Sequence, residues 1–270
     1  GHTKVRLRLK YTPILLYVSF TCRPMSLIEK LLLEDFTLIT SLSLPKLKNK
    51  WSKLLGFTPK NSLILETVLD LEKQGKFVLS SEDKAIFRIR NVRSDSGVIP
   101  LAVMMKPYPC PGQCIYCPQE AGMPKSYFSD EPAAARAKSQ NFDPVKQIRF
   151  RLRQLKLTGH TTSKIELIVI GGTYSAYPKA YKLEFIKSLY DTCNGIKSSS
   201  VEAAQKLNAS AKRRIVGLSI ETRPDWITPE EVVLLRRLGV TKVQLGVQAL
   251  DAGILKKIHR GHSLEATTQA

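Results

Sequence analysis

The chain has 270 residues, 43% of them hydrophobic, which is length and apolar content enough for one large domain or two modest ones with a sizeable core. Its 42 Lys and Arg against 23 Asp and Glu leave a net charge of +19, a surplus that points to a polyanionic partner, nucleic acid or an acidic membrane surface. The five cysteines, three of them clustered, argue against a disulfide framework and for metal chemistry in a reducing, cytoplasmic compartment.

Residues 1–24 read as unstructured or non-native, with Met25 as the native start. The apolar run "ILLYVSF" is far short of the roughly 20 residues a membrane span needs, so no membrane segment is expected. Residues 25–90 read as a helical region. "SLIEKLLLEDF" and "NSLILETVLDLEKQGKF" space Leu, Ile and Val by three and four, with Ser26 and Asn61 as N-caps and Gly75 as a terminator. Between those helices Lys46, Lys48, Lys50 and Lys53 surround Trp51, a pattern that suits nucleic-acid contact as well as a solvated face.

After the polar link "RNVRSDSG", residues 91–270 alternate strand and helix. "VIPLAVMM" is a short buried strand that runs into the cysteine loop. "DPVKQIRFRLRQLKLTG" is a helix capped by Asp143 with Pro144 in its first turn, and "KIELIVIGGT" is a strand ending in a glycine pair. "YPKAYKLEFIKSLYDTCNG" is a helix closed by Gly195. "IKSSSVEAAQKLNASAKRR" reads as a loop or poorly ordered insertion. "RRIVGLSIETRPD" is a third strand, followed by the helix "TPEEVVLLRRLG" with Thr228 as cap and Pro229 at its start. "VTKVQLGVQ" is a fourth strand, followed by the helix "DAGILKKIHRG". Val- and Ile-rich strands, each followed by an amphipathic helix, imply parallel βαβ units. Right-handed crossovers then bring the cysteine loop, "GGT", "ETRPD" and "GVQ" to one face, the face that holds the chemistry in α/β folds.

Cys110, Cys114 and Cys117 lie within eight residues. Structural zinc wants four ligands, and no fourth Cys or His is near, although one could come from afar. A dithiol switch needs only C-x-x-C and leaves Cys110 unexplained. Iron–sulfur clusters take thiolates at such short spacings, and three ligands on a four-iron cluster would leave one iron open.

The pattern Cys110-x3-Cys114-x2-Cys117, with Tyr116 before the last cysteine, resembles the cluster loop of the radical S-adenosylmethionine enzymes. The segments "RSDSGVIPLAVMMKPYPCPGQCIYCP", "KSYFSDEPAAARAKSQNFDP", "ELIVIGGTYSAYP", "GLSIETRPDW" and "VQLGVQALDAGILKKIHRGHS" resemble, in this order, the Elongator catalytic subunit family. The likeness runs over about residues 88–264 and is weaker in the helical region before it. It implies an α/β fold, an incomplete partial TIM barrel preceded by a basic helical tRNA-binding region. It implies a 4Fe–4S cluster on Cys110, Cys114 and Cys117, with S-adenosylmethionine on the open iron as the source of a 5′-deoxyadenosyl radical. The reaction it implies is acetyl-CoA-dependent carboxymethylation at carbon 5 of the tRNA wobble uridine. Alternatives are a non-catalytic iron–sulfur tRNA-binding module and a radical enzyme with another substrate.

The same resemblance assigns residues. Tyr116 would pack near the adenine, and Gly171, Gly172 and Thr173 would meet the methionine end, although the family's usual third residue there is acidic. Glu221 and Arg223, costly to bury unpaired, read as pocket groups around S-adenosylmethionine or as partners of each other. Gln244 and Gln248 suit pocket hydrogen bonding or the filling of the sheet's interior, and Gln248 is taken as a cofactor contact. Lys125, Arg136, Lys146, Arg149, Arg153 and Lys156, with Lys138 and Arg151, read as a tRNA-binding set or a solvated helix flank. Tyr127 and Phe128 suit base stacking or core packing. His259 and His262 have no metal role, and no catalytic side chain is singled out. The family continues past the fourth strand–helix unit to an acetyltransferase-like domain, so the chain reads as a fragment that meets acetyl-CoA through a part not in this sequence. A fragment of this kind is expected to hold a cluster without completing uridine modification. As partners the family suggests tRNA, with either a homo-oligomer or accessory subunits.

Overall fold

The structure is a computed structural model that describes residues 27–35, 38–39, 43–59, 61–76, 78, 80, 86 and 96–270. The expected start at Met25, the cap at Ser26 and most of the "RNVRSDSG" link lie outside the described residues. Two compact units emerge: the described residues of Gly1–Arg93 with Arg153–His160, and Ser94–Leu152 with Thr161–Ala270. Among the described residues no helix is long and apolar enough to cross a membrane.

The first unit contains α1 (Leu27–Asp35), α2 (Leu44–Leu55) and α3 (Asn61–Lys73). Leu31 and Leu32 of α1, Leu44, Leu47 and Trp51 of α2, and Ile64, Leu65, Val68 and Leu71 of α3 form its core. Gly75, at φ 75°, closes the turn after α3, its N–H donating to the Glu72 carbonyl. Asn61 is the first residue of α3, and its side chain accepts from Lys48 Nζ at 2.8 Å. The lysine cluster proves to lie on a helix of its own, α2. Trp51 is not a surface aromatic among lysines: it is 2% exposed, and its indole N–H donates to Asp35 at 2.8 Å. Leu44, Leu47 and Trp51 recur at helical spacing, so α2 turns them inward.

The second unit is built on a parallel four-stranded sheet in the order β1 (Ile99–Met104), β2 (Lys164–Ile170), β3 (Arg214–Thr222) and β4 (Lys242–Leu245). Strand order follows chain order, the result expected of successive right-handed crossovers. Register aligns apolar residues across the sheet: Leu101, Leu167 and Leu218 pair in one row, and Val103, Val169 and Ile220 in the next. These rows form the core with Ile148 and Leu152 of α5 (Pro144–Leu157). Further helices complete it: Phe185, Ile186 and Leu189 of α6 (Lys179–Asn194), Ala204 of α7 (Val201–Asn208) and Leu235 of α8 (Pro229–Arg237). On the alternate face Met104 and Ile170 pack with Ala134 and Ala137 of α4 (Pro132–Ser139). Two short helices, α9 (Ala252–Lys257) and α10 (Leu264–Gln269), follow β4.

The expected caps are present. Asp143 accepts from Lys146 N at 2.9 Å, Thr228 from Glu231 N at 3.2 Å, and Gly195 ends α6 at φ 78°. Two expectations need correction. The "IKSSSVEAAQKLNASAKRR" segment contains the helix α7, capped by Ser200 and anchored by buried Asn208. The Asn208 side chain donates to Asn194 Oδ1 at 2.7 Å and accepts from Ile215 N at 2.9 Å. The fourth strand is only Lys242–Leu245, because the Gly246 carbonyl turns to Arg260 and Gln248 adopts φ 75°.

Candidate functional site

Every β strand ends at the same edge of a parallel sheet, so the loops after β1, β2, β3 and β4 are neighbours there. Gly171 and Gly172 turn the chain after β2 at φ 137° and 92°, values that favour glycine. A Cβ on Gly171 would stand 3.2 Å from Met105 Cβ, and one on Gly172 would stand 3.3 Å from the Lys125 carbonyl. The bare pair thus lets the β2 turn lie against the cysteine loop. The Tyr177 hydroxyl fixes this contact by donating to the Lys106 carbonyl at 2.7 Å.

After β3, Glu221 and Arg223 do not pair with each other, which sets aside the alternative reading of the two residues. Glu221 accepts from the Tyr127 hydroxyl at 2.7 Å, and burial raises its carboxyl above the ordinary range, opposed by that hydrogen bond. Arg223 is buried and forks onto Asp225 through Nε at 2.9 Å and Nη2 at 2.8 Å, while Nη1 donates to the Arg260 carbonyl at 2.9 Å.

These loops enclose a cavity of about 300 Å³. Cys110, Cys114, Tyr116 and Cys117 line it from the first loop, Gly172 and Thr173 from the second, Glu221 and Arg223 from the third, and Gln244 and Gln248 from the fourth. The thiols are free. Cys110 Sγ accepts from Gly112 N at 3.4 Å and lies 3.5 Å from Thr173 Oγ1. Cys117 Sγ lies 2.8 Å from Ser126 Oγ, and Arg260 Nη1 donates to Cys114 Sγ at 3.4 Å. Burial acts to raise the Cys114 thiol, but hydrogen bonds from Arg260 and Tyr116 and the charges of Arg260 and Arg223 outweigh it and favour the thiolate.

Of the cofactor residues read from sequence, all but Gly171 line this cavity. Lys125 joins them there and not the other basic residues: its ammonium donates to the Gly112 carbonyl at 2.6 Å. Arg136 lies on α4, while Lys146, Arg149, Arg153 and Lys156 are exposed along α5. Arg153 forms an ion pair with Glu66. Tyr127 is a cavity residue through its bond to Glu221, and Phe128 is half exposed. Sequence reasoning missed Gly112, Ser126, Gly246 and Arg260, all of which line the site. A Cβ on Gly112 would collide with the Arg223 guanidinium.

Residues 108–270 match the sequence model of the Radical SAM superfamily, and the chain belongs to that superfamily. Among curated relatives, it is 47% identical over 178 residues to the tRNA uridine(34) acetyltransferase of Dehalococcoides mccartyi, a match covering 66% of this chain and 39% of that protein. It is 31% identical over 255 residues to Elongator complex protein 3 of Homo sapiens, covering 89% of this chain and 45% of that protein. A solved structure of the archaeal Methanocaldococcus infernus Elp3 with an N-terminal deletion is similar at TM-score 0.52 and 40% identity, over 64% of this chain and 34% of that one. The chain therefore spans less than half the length of these relatives.

The superfamily implies a 4Fe–4S cluster and S-adenosylmethionine, and the donor set suits them. Among the described residues no three His, Cys, Asp or Glu side chains converge as ligands of a single metal ion. A four-iron cluster asks instead for thiolates on separate irons around one shared space, with hydrogen bonds to their sulfurs. Three free thiols on one cavity, two of them accepting N–H donors, meet that demand. Structural zinc would need these thiols to converge with a fourth ligand on one ion, and among the described residues no group of three His, Cys, Asp or Glu side chains does so.

Proposed function

We propose that this chain carries the radical S-adenosylmethionine portion of an enzyme that modifies the wobble uridine of tRNA by acetyl-CoA-dependent carboxymethylation at carbon 5. The observation that supports this best is the meeting of three free thiols, a bare glycine turn, Glu221 and Arg223 on one cavity at the C-terminal edge of a parallel sheet.

In this reading Cys110, Cys114 and Cys117 hold the cluster. Once bound, the cluster and S-adenosylmethionine supply a carbon-centred radical for hydrogen abstraction from the acetyl group. The chain's own residues bind and orient. Gly171 and Gly172 leave backbone open beside the cysteine loop, where the amino-acid end of S-adenosylmethionine would sit with Thr173. Tyr116, half exposed on the cavity, offers a face to the adenine. Glu221, Arg223 and Gln248 give the cavity one acid, one fixed cation and one amide for the remaining polar atoms. Residues 25–90 and the basic face of α5, with Arg136 of α4, would meet tRNA phosphates, a role that suits the net charge of +19. Lys125, tied to Gly112, would act from inside the site.

Anaerobic reconstitution with iron and sulfide, followed by visible absorption and assay for 5′-deoxyadenosine, tests the radical part. Cluster absorption with 5′-deoxyadenosine is expected, both lost on Cys114→Ser. Zinc uptake without iron would overturn the reading. Nucleoside mass spectrometry of tRNA after incubation of the full-length protein with acetyl-CoA tests the substrate, and a modified uridine lacking the carboxymethyl group would overturn that part.

A further inference from the structure

The "HRGHS" segment, to which residue spacing gave no role, delivers a buried guanidinium to the cysteine loop. Arg260 is 7% exposed, and its three nitrogens reach three parts of the chain. Nη1 donates to Cys114 Sγ at 3.4 Å, Nε to His262 Nε2 at 3.1 Å, and Nη2 to the Gly246 carbonyl. Because Nε spends its proton on His262 Nε2, the imidazole offers a lone pair there and carries its hydrogen on Nδ1, which lies 3.2 Å from the Ser263 carbonyl. The backbone of the segment is also tied to the site. The Arg260 carbonyl accepts from Arg223, and the Ile258 carbonyl accepts from Ile115 N at 3.2 Å. Gly246 makes room: a Cβ there would stand 2.8 Å from Arg260 Nη2 and 3.1 Å from Gln248 Nε2.

We propose that Arg260, aimed by His262 and Gly246, is a positioning residue that fixes the Cys114 thiolate and raises the reduction potential of the cluster it would hold. The proposal rests on the cluster reading above. Hydrogen bonds to ligand sulfurs and local charge are among the levers that set such potentials. A cation donating to a ligand sulfur favours the reduced state, which carries one more electron. A planar fork serves three acceptors at once, as a lysine ammonium on a flexible stem does not.

Redox titration of the reconstituted chain, with electron paramagnetic resonance of the reduced cluster, tests it. Arg260→Gln is expected to lower the midpoint potential and change the resonance line shape. Arg260→Lys should recover part of the loss by returning the charge. Gly246→Ala keeps the charge but displaces Nη2, and should shift the potential in the same direction as Arg260→Gln by less. A normally loaded Arg260→Gln cluster with the wild-type potential overturns the proposal and leaves the cluster reading intact. So does lowered cluster occupancy at an unchanged potential, which would make Arg260 a structural strut. If Arg260→Gln fails to fold or load, wild-type potentials in both other variants overturn it. A wild-type chain that takes up no four-iron cluster defeats both readings.

Discussion

Gly112 and Gly195 are both glycines that a methyl would disturb, for different reasons. At Gly112 the added Cβ would run into a guanidinium that Asp225 holds by two bonds, so Gly112→Ala should cost about 1–3 kcal/mol through overpacking and also lower cluster uptake. Gly195 has open space around it but sits at φ 78°, so Gly195→Ala should cost about 1–2 kcal/mol of stability and leave cluster uptake unchanged. Urea midpoints and iron content per chain separate the two. Titration distinguishes two acids, buried Asp35 and partly buried Glu221, by sign. Burial raises Glu221 above its ordinary 4.5, against the Tyr127 hydrogen bond, so its contribution is complete below 4.5 and lost as pH rises through the raised value. Glu221→Gln should therefore gain stability relative to the parent as pH rises through that window. For Asp35 burial acts upward, but bonds from Trp51 and Lys50 prevail and lower it below 3.8, so its stabilisation is present above 3.8 and lost as pH falls through the lowered value. Asp35→Asn should be less sensitive than the parent to acid in that lower window. At this scale the cysteines, the glycine pair, Glu221 and Arg223 were legible because each motif is local and sits at a strand end. Arg260 was not, since its sulfur partner is 146 residues away and neither position hints at the other.

Between elements, the most buried ion pair among the described residues joins α6 to α8. Lys182 Nζ lies 2.7 Å from both Glu231 oxygens, and the two side chains are 4% and 13% exposed. Glu231 stands three residues after the Thr228 cap, where a capping box would turn the carboxylate back onto the cap's N–H; its bonds to Lys182 carry it to the neighbouring helix. Removing one partner strands the other, so Lys182→Met should cost about 3–5 kcal/mol. The double variant Lys182→Met/Glu231→Leu should recover much of that loss in a urea-denaturation cycle, and an additive double variant would refute the coupling. Most elements of the second unit were readable because period-two apolar runs and Pro or Gly punctuation mark them. Four helices, α2, α4, α7 and α10, escaped. In α2 the lysines at 46, 48, 50 and 53 drew attention from the Leu44, Leu47 and Trp51 stripe that decides its orientation. In α7 eight residues carry little apolar signal, and Asn208, a residue that favours turns in isolation, holds the helix through tertiary bonds.

Across the whole molecule, charge is the property that most constrains the partner, because +19 is spread over elements that share no other signature. On α5, Ile148, Leu152 and Leu155 are buried, and Lys146, Arg149, Arg153 and Lys156 are exposed at intervals of three and four residues, which makes a single cationic stripe. Such a stripe suits a phosphate backbone, and each lost phosphate contact should flatten the dependence of log affinity on log salt by about 0.7–0.9. The residues should not count equally. Arg153 already faces the Glu66 carboxylate, so part of its charge is offset before any tRNA arrives. Lys146→Ala with Arg149→Ala should therefore weaken tRNA binding and reduce the salt slope by nearly two contacts, whereas Arg153→Ala should reduce it by less than one. Neither change should alter cluster absorption, since no residue of this stripe lines the cavity. Filter binding across a salt series with unmodified tRNA, read beside iron content, measures both. Equal slopes for parent and double variant would assign the α5 stripe to solvent and move the tRNA surface to the remaining basic residues of the chain.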